Sequence, residues 1–190
     1  ASPNARERVY AVPMSLETVG LYYNKKLVTT PASSYETLIA EAKVWNALPT
    51  VANGPTNAQS GRYYLGTSSH FADSYFMQHI YSAFGFKPFG PNLDNPNAVG
   101  FAEATAALNW MVNSLKPVVT GQGNHNSVGA GANFVDGKIP YIIAGPWNIE
   151  EYSKASNVDL GIAPLPTIAG KTAAPFAGAQ MAAIYKYSQN

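Results

Sequence analysis

Phe134-Val-Asp-Gly-Lys-Ile-Pro-Tyr-Ile-Ile-Ala-Gly-Pro-Trp147 decides the fold class. Within it, Ile139 to Ala144 is a short, almost wholly apolar run bounded by turn residues, which reads as a buried strand. Pro140 cannot donate to a ladder, so it is expected at an early strand position or on an edge. Gly145 permits an unusual backbone angle, and Pro146 suits the first helical position because its φ is fixed and its N–H is missing. The strand therefore turns directly into a short helix and leaves the indole of Trp147 at the corner. Upstream, a Gly/Asn-rich loop over 121–131 runs into a short helix that ends at Gly137. A strand set between helices is the α/β pattern.

Outward from this segment the pattern repeats. Downstream, 158–165 is a second strand closed by Pro164 and Pro166, 169–171 is a turn, and 176–187 is the last strand. Upstream, 9–23 reads as one or two short strands, with Asn24-Lys25-Lys26 as the turn after them. Tyr35, Leu38, Ile39, Ala42 and Trp45 have helical spacing behind a Ser33 or Ser34 cap. Residues 48–62 are rich in loop formers, and 63–66 reads as a short strand. Asp73 to Phe84 forms a helix with Phe76, Ile80, Ala83 and Phe84 on one face and Gly85 as its stop. After a loop over 88–95, the longest helix spans 97–115, with a core stripe of Phe101, Ala104, Leu108, Met111, Val112 and Leu115 ended by Pro117. There is no repeat and no long linker, so residues 1–190 are read as a single α/β lobe, a short-stranded sheet flanked by helices. Ala1-Ser2-Pro3-Asn4 is not a natural start, and 181–185 reads as a strand with nothing following to pair it. The chain is thus expected to be a piece of a longer one.

Composition narrows the function. Charged residues make up only 12% of the chain and the net charge is +1, which supplies no broad basic field for nucleic acid. With no cysteine, a thiolate metal site and a cysteine nucleophile are excluded. No apolar run reaches the ~20 residues of a membrane-spanning helix. Twelve tyrosines and three tryptophans supply flat apolar faces with polar edges, suited either to a core or to a ligand surface. The motifs of serine hydrolases, zinc proteases, P-loop enzymes and dinucleotide-binding folds are missing. His70, His79 and His125 are far apart without acidic partners at ligand spacing, so no metal site is expected. His79 is placed on a helix flank and His125 in a loop.

Four residues carry the candidate chemistry. Glu17 interrupts an apolar strand; it is either a solvent-facing edge residue or an acceptor for ligand hydroxyls, because a carboxylate buried alone is costly. Asp73 opens a helix and is either its N-cap or a second acceptor. Glu17 and Asp73 together would also suit a glycoside-processing enzyme, which needs two carboxylates across the scissile bond. Trp147 is either packed over its helix start or a ligand platform at the strand end. Tyr75, in the first turn of its helix, can supply a second ring, whereas Trp45 and Trp110 lie on helix bodies and read as packing residues.

Taken in order, three blocks resemble one family. Tyr10 to Lys25 (YAVPMSLETVGLYYNK) is similar to the hinge-proximal segment of maltose/maltodextrin-binding proteins, the extracytoplasmic solute receptors of ABC importers. Phe134 to Trp147 resembles their Gly-Pro-Trp segment. Ile162 to Thr167, Gly170-Lys171 and Pro175 to Gly178 resemble the strand and turn that follow. The resemblance covers about residues 9 to 185. It implies one lobe, mostly the second, of a two-lobed type II periplasmic-binding-protein fold, with hinge crossings at 15–19 and 177–181 and the first lobe of the same protein as partner. It also implies capture of an oligosaccharide, delivery to a membrane permease, an extracytoplasmic location, no cofactor and no catalysis. Glu17 then corresponds to a hinge glutamate that accepts sugar hydroxyls, and Tyr75 and Trp147 to sugar-stacking rings. The sequence departs from the family at Asp73-Ser74-Tyr75, where Glu-Pro precedes the tyrosine, and at Tyr35, where a tryptophan is common. The first change leaves Asp73 as a shorter acceptor and the sugar undecided. A related receptor for a non-sugar solute, such as a phosphate ester or polyamine, would need clustered cations or extra carboxylates, and neither cluster is visible.

Overall fold

The computed structural model describes residues 11–48, 64–67, 73–92, 94–119, 127–185 and 187–188. The expected loop over 49–62, and His70 and His125, lie outside them. β1 (Val12–Thr18) and β2 (Gly20–Asn24) follow one another almost without a break. Next come α1 (Tyr35–Asn46), β3 (Leu65–Thr67), α2 (Ser74–Ala83) and α3 (Phe101–Trp110). A π-helical turn (Met111–Leu115) leads into α4 (Lys116–Val119), followed by α5 (Ser127–Val135) and β4 (Tyr141–Ala144). A 3-10 turn (Pro146–Asn148) opens α6 (Ile149–Lys154), and β5 (Leu160–Ala163) and β6 (Ala177–Ala182) complete the order.

The main sheet runs β3-β4-β2-β5, with β3 and β4 parallel and β2 antiparallel to both its neighbours. Alternation along β2 and β4 sets the layers, because successive side chains point to opposite faces. Leu21, Tyr141 and Ile143 pack with buried residues of α1, α2 and the α3–α4 helix. Tyr22, Ile142 and Ala144 face Ala130 and Phe134 of α5 and Tyr152 of α6. The sheet is therefore covered on both faces, and β4 is buried along its whole length. Pro140 falls just before β4, where its carbonyl still accepts from the Asn24 amide at 2.9 Å.

Local signals place the helices. Ser34 caps α1, its hydroxyl accepting from the Thr37 amide at 3.2 Å, and Tyr35 behind it is fully buried. Tyr35 is thus a packing residue, edge-on to Trp110 at 5.5 Å. Gly85, at φ +85°, follows the end of α2. The expected long helix differs in three respects. It begins at Phe101 and not at Asn97. Its buried positions are Ala107, Met111, Leu115 and Val118, whereas Phe101, Leu108 and Val112 are exposed. The apolar stripe spans two adjoining faces, and the contacts of Trp110 with Tyr35 and Phe84 roll the inner one toward the sheet. Pro117 does not end the helix either. The Lys116 amide donates to the Met111 carbonyl five residues back, and this widened turn carries the chain past a residue with no N–H of its own. The strand expected over 63–66 begins at Leu65, and the last strand is shorter than 176–187.

β6 finds its pairing partner upstream, in the first strand. It lies antiparallel to β1 in a separate two-stranded ribbon, with Leu16 opposite Ala179, Glu17 opposite Gly178 and Thr18 opposite Ala177. Among the described residues no helix is long and apolar enough to cross a membrane.

Candidate functional site

An aromatic shelf forms where the ribbon, the start of α2 and the end of β4 meet. Asp73 is the N-cap of α2; its Oδ1 accepts from the amides of Tyr75 at 2.8 Å and Phe76 at 3.2 Å. That cap fixes the first turn, so that Phe76 is buried and Tyr75 is left at the surface beside the ribbon. The Tyr75 ring lies between two others. Phe176, just before β6, stacks on it at 6.2 Å and 30°, and Trp147 tilts against it at 6.4 Å. Phe76 meets Trp147 edge-on from below at 6.2 Å.

Trp147 is half exposed, at 49%. Its indole folds back over Gly145, where any Cβ would run into the ring. The backbone of Gly145 is extended, at φ −112°, a conformation open to any residue. This corrects the expectation drawn from the sequence: Gly145 is needed for its missing side chain and not for an unusual angle. Trp147 is thus both packed over its helix start and open to solvent.

Glu17 supplies the polar rim. It is half-buried on β1, and its Oε1 accepts from Gln180 Nε2 at 3.3 Å. Burial, and then the nearby Glu17 charge, push the Tyr75 hydroxyl above the ordinary phenol range. The Thr18 hydroxyl donates to the Phe176 carbonyl at 2.6 Å and locks the start of β6 to β1. Glu17, Tyr75 and Trp147 thus share one surface, with Asp73 beneath it holding the helix end. An open groove of about 660 Å³ lies along the β1–β2 junction, lined by Leu16, Val19, Pro146, Ile149 and Ile162 and touched by Glu17.

Three participants were not singled out from the sequence: Phe176, Phe76 and Gly178. Phe176 and Gly178 lie in a segment read as the last strand and as part of the family-like Pro175 to Gly178 block, and no local pattern reveals a contact with a helix about a hundred positions earlier. His79 is also corrected. It is not on a flank but fully buried one turn beyond Tyr75.

A family model described as bacterial extracellular solute-binding protein matches residues 4–190. The chain belongs to that family. This solute-binding chain is 28% identical over 178 residues to a maltotriose-binding protein of Pyrococcus abyssi, covering 88% of the chain and 34% of that relative. It is 27% identical over 188 residues to a maltodextrin-binding protein of Bacillus subtilis, covering 96% of the chain and 43% of the relative. To a galactooligosaccharide-binding protein of the same organism it is 28% identical over 195 residues, covering 97% and 43%. The solute-binding chain thus spans less than half the length of these curated relatives, all of which are named for binding and not for catalysis.

Proposed function

We propose that the chain is the sugar-holding second lobe of the substrate-binding component of an ABC importer, acting outside the cytoplasm. In this reading β1 and β6 are the hinge crossings, a first lobe of the same protein closes over the shelf, and a membrane permease receives the oligosaccharide. The observation that carries the reading is the half-exposed Trp147–Tyr75–Phe176 shelf with the Glu17 carboxylate at its rim. Sugar C–H faces pack on aromatic faces, and a carboxylate orders hydroxyls through charge-assisted hydrogen bonds. These shelf residues carry one negative charge and no cation, which disfavours a phosphate ester. The names of the relatives favour an oligosaccharide such as maltotriose, a maltodextrin or a galactooligosaccharide.

The enzyme reading is disfavoured by Asp73, whose Oδ1 is committed to two backbone amides. Calorimetry on the full-length protein with maltotriose, maltodextrin and a galactooligosaccharide tests the proposal. At least one should bind, and Trp147→Ala should weaken that binding by about tenfold or more, equivalent to roughly 1.4 kcal/mol, with the fold retained by circular dichroism. Lack of binding across the panel, or release of aglycone from aryl glycosides, would sink it.

A further inference from the structure

Gly178 lies opposite Glu17 in the ribbon, and the atoms around it are those of the shelf's polar rim. A Cβ built at this position would lie 3.6 Å from Glu17 Cγ, 3.8 Å from Glu17 Oε1 and 3.8 Å from the Tyr75 hydroxyl. These are ordinary contact distances, so the fold tolerates a methyl group there. The backbone does not demand glycine either, since Gly178 is not among the positive-φ residues. Neither packing nor conformation explains the missing side chain. What a methyl group would do is occupy the space between a carboxylate and a phenol. Among the described residues the Tyr75 hydroxyl has no hydrogen-bond partner, and the bond given for Glu17 is that from Gln180.

We infer that Gly178 is a specificity-determining residue: by lacking a Cβ it keeps open the place where one ligand hydroxyl donates to Glu17 and accepts from Tyr75. A hydroxyl is the group that can do both at once, since it carries one donor and two lone pairs. An aliphatic group at the same position leaves the Tyr75 donor unpaired and offers Glu17 no donor, an ester offers Glu17 none either, and discrimination against ligands that lack a required hydroxyl is correspondingly strong. The inference rests on the oligosaccharide-binding reading and adds to it the atom-level reason for a bare position on the return crossing.

The test is Gly178→Ala in the full-length protein, measured by calorimetry with maltotriose and a galactooligosaccharide beside a melting curve, with Glu17→Gln and the double variant as companions. The expected result is a loss of affinity of roughly tenfold or more for Gly178→Ala at an unchanged melting temperature. On the Glu17→Gln background the same substitution should cost less than about twofold, because groups that act on one ligand atom are not additive. Wild-type binding with unchanged affinity in Gly178→Ala overturns the inference and leaves the oligosaccharide reading standing. Fully additive losses also overturn it, since they assign the effect to the crossing strand and not to the hydroxyl. If the wild-type protein binds neither sugar, the reading and the inference fall together.

Discussion

His79 engages both nitrogens of a fully buried ring. Nδ1 lies 2.8 Å from the Phe76 carbonyl and Nε2 lies 2.6 Å from the Tyr35 hydroxyl. A carbonyl only accepts, so Nδ1 carries the proton and Nε2 accepts from the Tyr35 O–H. Burial pulls the imidazole down to about 4, partly opposed by the Phe76 hydrogen bond. The unfolded chain takes up this proton near the ordinary value of 6.5. The stabilisation is therefore complete above that pH, is lost progressively as the pH falls toward about 4, and amounts to about 3 kcal/mol at most. His79→Gln should flatten the fall in melting temperature between pH 6.5 and 5, above the range of ordinary carboxylates; an unchanged slope would show that another group governs it. Tyr141 makes a similar commitment. Its buried hydroxyl accepts from the Ala32 amide at 3.0 Å, so Tyr141→Phe should cost about 1–3 kcal/mol in denaturant unfolding by leaving that amide unpaired. The burial of Tyr141 follows from the apolar run around it, whereas that of His79 was not readable, because a histidine on an amphipathic helix gives no sign of which flank will be covered.

At the scale of elements, what could be read locally was read well. Ser34 and Asp73 announce the starts of α1 and α2, and Gly-Pro-Trp announces the turn into α6, because capping and proline chemistry act within a few residues. The buried face of α3 and the passage through Pro117 depend on Tyr35, Phe84 and the sheet, all distant in sequence, and both were misread for that reason. Asp73 allows a test that separates cap from ligand contact. Asp73→Ala should cost about 1 kcal/mol of stability and weaken sugar binding by loosening Tyr75. Asp73→Asn, which still caps, should preserve both. Loss of affinity in Asp73→Asn at full stability would instead make Asp73 a direct contact of the ligand.

At the scale of the whole molecule, the sequence conveyed the α/β class and the order of strands and helices, but not the ribbon, because β1 and β6 lie at opposite ends of the described chain. The ribbon is poorly covered: Val12, Met14, Leu16 and Met181 are all well exposed, and the shelf has no opposing wall among the described residues. On the proposed two-lobed reading, the isolated 190-residue chain should bind maltotriose at least roughly a hundredfold more weakly than the full-length protein, about 2.7 kcal/mol. Equal affinities in calorimetry would show that one lobe suffices.

The pairing of Val12 with Ala182 also has a consequence for heredity and for engineering. On the proposed two-lobed reading, a lobe entered and left through adjacent strands joins its host at two neighbouring seams. Such a unit can be exchanged between receptors as a cassette, by recombination in nature or by splicing at the bench, with its layers undisturbed and only the seams to be matched.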